Sequence, residues 1–229
     1  MFKKKVICAI VFFLFLGVPG LFAGDTATFV DLGFSPDGSI YMFGQYGVQS
    51  GNLRPWADLF VVDVARNSFV PNGRLSYVHD NPVVAGQNGI GALHRLIAQN
   101  APLAERHSVD YSFQGQPLFI SLDNTDETIE FRDFDNGVTY RATLVSLVEG
   151  EGENLRSSFF INLESISRDG LRRAYTVGSP QLRRPLISSY DIQRVMIAPM
   201  DGAMIFVIKM RRLDGDSFSI RYMVEAVRF

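Results

Sequence analysis

The chain predicts a mainly β fold of antiparallel hairpin units, propeller-like or sandwich-like, with one short amphipathic helix. Three observations predict it. Short apolar runs of strand length, several of them alternating, recur from Ala27 to Phe229 between turn residues. Two turns share the same chemistry, Ser35-Pro36-Asp37-Gly38 and Pro199-Met200-Asp201-Gly202, in which Pro presets φ and Gly accepts a positive φ. Only Gly89 to Gln99 places its apolar residues, Ile90, Leu93, Leu96 and Ile97, at helical spacing.

At the N-terminus, Lys3, Lys4 and Lys5 precede an apolar run from Val6 to Phe22 that Gly17, Pro19 and Gly20 interrupt. This is the three-part form of a secretory signal peptide, with cleavage expected after Ala23. Residues 1–23 are thus read as the signal and 24–229 as a single exported β-rich domain, periplasmic or secreted, with no stable membrane insertion after cleavage. An uncleaved anchor would need about 20 unbroken apolar residues.

Thr28 to Phe34 runs into the first Pro/Asp/Gly turn, Ser39 to Tyr46 alternates, and Asp58 to Val64 forms a further apolar strand. The helix follows, with Asn100-Ala101-Pro102 as its stop. Strands are then expected at Val109–Phe113, Leu118–Leu122, Thr128–Phe131, Val138–Val148, Ser157–Ile166 and Arg173–Val177. Ile192 to Ile197, Ala203 to Met210 and Ser217 to Phe229 close the chain around the second turn. Aligning Gly38 with Gly202 superposes Ile40-Tyr41-Met42-Phe43 on Met204-Ile205-Phe206-Val207. That separation is about four propeller blades of ~41 residues, which would place about five blades in the exported chain.

The segment Gly33-Phe34-Ser35-Pro36-Asp37-Gly38, continuing through Phe43 to Gln49 and Leu59 to Val64, resembles the start of the DUF2259 family of predicted secreted bacterial proteins. The ending Ile220-Arg221-Tyr222-Met223-Val224-Glu225 is similar to the same family's close. The Ser-Pro-Asp-Gly hairpin also has a weaker similarity to blades of periplasmic TolB-like propellers. The family resemblance implies export and an uncharacterised role, and supplies no catalytic residues.

Cys8 is the only cysteine and lies in the signal, so the exported chain has no thiol for disulfides, nucleophilic catalysis or metal binding. Lys5, Val6 and Ile7 stand where a lipobox would need small residues, so no lipid anchor is expected. The formal charge of −2 includes the three leading lysines, so the exported part is more acidic and lacks the electrostatic basis for a nucleic-acid partner. Beyond the signal, Lys209 is the only lysine. The arginines are scattered, which favours compositional bias over a bidentate anion site.

His79, His94 and His107 lack the paired spacing of a metal site. Ser35 opens a turn rather than a Gly-x-Ser-x-Gly elbow. The acidic run Asp123 to Glu127, with Asp133 and Asp135, departs from the EF-hand pattern and reads as solvated turns. No cofactor or metal is expected. Trp56, with Tyr46 and Tyr41, is the candidate lining of a ligand or peptide groove, weighed against core packing. The function expected is a non-catalytic periplasmic binding or interaction module whose edge strands and loops engage an envelope protein or peptide. Two alternatives stay open. One is a hydrolase using Asp80, Glu105 or Asp110 with His79 and His107. The other is a small outer-membrane barrel ending at Phe229, opposed by Glu225 and Arg221 on its would-be lipid face.

Overall fold

Met204 to Ile208 are all fully buried, which requires their strand to be covered on both faces. The computed structural model, which describes residues 24–122, 126–200, 202–215 and 217–229, shows what covers it. Residues 1–23, read above as a signal, Asp123 to Thr125 of the acidic run, and the turn residue Asp201 lie outside the described residues.

Three open, four-stranded antiparallel sheets stack face to face among the described residues. The front sheet is a meander of β1 (Thr28–Phe34), β2 (Ile40–Val48), β3 (Pro55–Asp63) and β4 (Ser68–Val78). The back sheet is a second meander, β6 (Thr128–Asp133), β7 (Val138–Glu149), β8 (Arg156–Ile166) and β9 (Arg172–Pro185). Between them lies the middle sheet, in the order β12 (Ser217–Val227), β11 (Met204–Asp214), β10 (Ile187–Ile197), β5 (Gln116–Ile120). Tyr41, Phe43 and Phe60 of the front sheet pack on Ile205 and Val207. Met204, Phe206 and Ile208, from the other face of β11, pack on Phe159, Ile161 and Leu163 of the back sheet. Each such side chain contributes about 1.5–3 kcal/mol by leaving water.

The Gly38/Gly202 correspondence is therefore a facing relation, since Tyr41 and Phe43 meet Ile205 and Val207 across one interface. The five-blade count is corrected to three sheets. Strands of up to 14 residues make each meander longer than a blade, and the helical segment consumes a further stretch of chain.

The outer face of the front sheet is covered by α1 (Ile90–Gln99), which buries Ala92, Leu93 and Leu96 against Leu59, Val61 and Met42. Asn100 ends α1 as expected, but Pro102 then starts a second helix, α2 (Ala101–Arg106), because its missing N–H is harmless in a first turn. The helix sits close because Gly44 lies beneath it, where a Cβ would come 2.7 Å from Leu93 Cδ1. Gly44→Val is expected to cost about 1–3 kcal/mol in urea denaturation and to speed amide exchange across α1.

No strand of its own was expected at residues 68–78; the structure forms β4 there and absorbs Pro71-Asn72-Gly73 in a bulge opposite Val61. Conversely, Val109–Phe113 is a turn touching β1 by the single bridge Phe34–Asp110, not a strand. The first Pro/Asp/Gly turn forms as expected. Gly38 takes φ +71° and donates to the Ser35 carbonyl at 2.8 Å, while the Ser35 hydroxyl donates to Asp37 at 2.6 Å. In the second turn Gly202 takes φ +66°.

Candidate functional site

The aromatic trio does not form a groove. Tyr41 is completely buried, its ring stacked on Phe34 at 4.4 Å and Phe43 at 5.9 Å in the interface with the middle sheet. Trp56 is 5% exposed and lies under the Arg221 guanidinium, 4.0 Å from its ring. Tyr46 packs on the other face of the front sheet, among the residues around α1. The correction has a simple cause, for both faces of β2 and β3 are covered, so aromatics there become core.

Three of the acid and histidine residues of the hydrolase reading, Asp80, His79 and Asp110, have a local partner for their side chains. Arg54 pairs with Asp80 at 3.3 Å, and the ring Nδ1 of His79 accepts from the Asn81 N–H at 3.0 Å. The Asp110 carboxylate accepts from the Ser112 N–H at 2.8 Å. Glu105 lies on α2, and His107 is its C-terminal cap. None of the five borders the hollow between β1 and β5 or the hollow at the turn end of the back sheet. His94 is exposed on α1. No group of three or more metal-ligating side chains gathers among the described residues. Asp133, one of the acidic candidates, spends its carboxylate on its own turn, accepting from the N–H groups of Asp135 and Asn136 and from the Asn136 amide.

Buried charge concentrates at two places. Glu225 on β12 is 5% exposed, and burial raises its pKa, an effect opposed by Asn67 and Arg184. Asn67, in the β3–β4 turn, donates to it at 2.5 Å, and Arg184 of β9 does so at 3.3 Å, so one carboxylate touches all three sheets. Asp31 on β1 is likewise raised by burial, against the Gly33 N–H, the Tyr41 hydroxyl and the Arg194 charge. Burial, with the Asp31 charge, in turn pushes the Tyr41 phenol well above its ordinary value.

The surface with the clearest binding geometry is an edge. Leu144 donates its N–H to the Glu127 carbonyl at 2.7 Å, just before β6 begins, and β7 continues through Val145-Ser146-Leu147-Val148-Glu149 with only β8 beside it among the described residues. Since Leu144 directs its backbone groups outward, the two-residue period sends those of Ser146 and Val148 outward as well. Leu147 and Val148 are about half exposed, at 46% and 47%. Across β8 from this edge, Leu182 stands out at 55%, from the stretch of β9 that bulges between Ser179 and Arg184. Arg183 in that bulge pairs with Glu149 and closes the end of the edge. Within the edge there is no Lys or Pro of the kind that natural edges use to prevent pairing. The sequence reading assigned this strand but missed its overhang. The available signal was that β6 has six residues before the Asp135–Gly137 turn and β7 twelve after it.

Compared with known proteins, residues 42–228 match the model of the family described as "Predicted secreted protein (DUF2259)". The match starts inside β2, so the resemblance of Gly33 to Gly38 falls before it. No curated protein and no solved structure matches the chain.

Proposed function

The chain belongs to the DUF2259 family of predicted secreted proteins, and from that premise we propose that it is a non-catalytic periplasmic binding module, released by cleavage after Ala23. It takes an extended segment of another exported protein as an added strand beside Val145–Glu149. The observation that supports this is the overhang of β7, whose backbone groups at Ser146 and Val148 have no strand beside them among the described residues. Two donors and two acceptors at about 1 kcal/mol net each give about 4 kcal/mol, which alone is a millimolar contact. Leu147 and Val148 supply the additional apolar area, and alternate side chains of the guest strand give selectivity.

Val148→Pro tests this reading. It deletes an outward N–H while leaving the β7–β8 ladder, which uses the inward groups, intact. With a photo-crosslinker at position 147 of the exported protein, the wild type is expected to capture one envelope partner, and Val148→Pro to lose it with its melting temperature unchanged. Absence of capture, capture indifferent to the proline, or capture of a second copy of this chain alone overturns the proposal.

A further inference from the structure

At the turn end of the back sheet, its inner face extends past the end of the middle sheet and leaves a hollow of about 480 Å³. One wall carries Ile197 and Gly202, on either side of the β10–β11 turn. The floor is a cross-strand row set by register, Tyr140 opposite Ser165 and Ser165 opposite Arg173. Phe229 leans over this floor from the middle sheet. Its ring stacks on Tyr140 at 6.0 Å and meets Tyr175 edge-on at 5.0 Å, yet it stays 45% exposed. An open aromatic face thus lies beside a polar rim of Ser165, Arg173 and Asp169, with the charge of the turn-bound Asp133 behind it.

We propose that this hollow binds a neutral carbohydrate, with one face of a pyranose on the exposed Phe229 ring, Tyr175 beside it, and its hydroxyls on the rim. Three features select that class. Two carboxylates, Asp133 and Asp169, against the single guanidinium of Arg173 oppose an anion. The fixed positive charge of Arg173 in the rim opposes a cation over the Phe229 face. Donors at Arg173 and the serines, beside an acceptor at Asp169, whose turn uses only Oδ1, match a ligand whose hydroxyls both give and accept. The volume lies within the range of small-ligand pockets, about 300–1,000 Å³.

The test titrates the full exported protein with maltose, cellobiose and N,N′-diacetylchitobiose, following the aromatic resonances of Tyr175 and Phe229 by NMR and the heat by calorimetry. At least one disaccharide is expected to bind with a millimolar or tighter Kd. Arg173→Ala and Phe229→Ala, both at exposed positions that leave the core intact, are each expected to weaken it by about tenfold or more. Val148→Pro is expected to bind sugar normally, which separates this site from the β7 edge. The assignment is overturned if none of the three sugars binds, if binding survives both alanine variants, or if tetramethylammonium or acetate binds in their place.

Discussion

Glu225→Ala is expected to lower unfolding stability by about 3 kcal/mol, near the low end of what breaking a buried ion pair costs. The carboxylate is one of the few contacts shared by all three sheets. Asn67 reaches it from the front sheet while its own amide oxygen accepts the Ala226 N–H at 2.8 Å, and Arg184 reaches it from the back sheet. Alanine would leave the Arg184 side chain, 15% exposed, without its anion and facing the Phe159 ring at 4.9 Å. The loss stops short of the upper end because Arg184 still donates to the Leu182 carbonyl at 3.3 Å. Denaturation midpoints measured at constant m-value check the figure.

Glu225→Gln separates charge from shape through pH. The pKa of Glu225 is raised in the fold, so the folded state holds the proton more tightly than the unfolded chain. Its contribution is fully present below the ordinary carboxyl range and is lost as pH rises through the raised value. Asp31 has the same sign. Asp37, Asp110 and Asp169 have the opposite sign, but all three are solvent-facing and weigh little. Stability is therefore expected to fall as pH rises above the ordinary carboxyl range, and Glu225→Gln to flatten that fall. A slope identical to wild type would show that Glu225 is charged in both states.

Local chemistry made most strands legible. The alternation of Ile129, Phe131 and Asp133, the turn at Asp135 to Gly137, and the helical spacing of Leu93 and Leu96 all describe what forms. Layering was harder to see, because an unbroken run such as Met204 to Ile208 says that both faces are covered without saying by what. The same ambiguity misplaced the candidate site. Tyr41 and Trp56 have the composition of a recognition surface, and only the stacking of the middle sheet makes them interior. Tyr140, Ser165 and Arg173 are far apart in the chain and become neighbours through register alone, a property no local pattern encodes.

Arg221→Ala is expected to cost about 3 kcal/mol and to release the first residues of the described chain. Gly24 to Ala27 run along β12, with Ile220 donating to the Asp25 carbonyl at 3.0 Å and Ala27 to the Ile220 carbonyl at 3.1 Å. The guanidinium of Arg221 holds this segment in place, giving Nη1 to one Asp25 carboxylate oxygen at 2.7 Å and Nη2 to the other at 2.9 Å. Asp25 has a side chain only 7% exposed, so removing the fork strands a buried carboxylate and breaks a paired, charge-assisted contact. The same guanidinium covers Trp56, for which Gly47 makes room, since a Cβ there would lie 2.8 Å from the indole. Trp56 is the only tryptophan, so its emission reports on this corner alone. The alanine variant is expected to red-shift that emission and to speed amide exchange at Ala27 and Ile220 ahead of global unfolding. Arg221→Lys restores the charge but not the planar fork or the stack, and is expected to recover only part of both effects. If exchange at Ala27 and the emission of Trp56 both stay at wild-type values, the segment is held by its backbone ladder, and the ion pair is incidental to it.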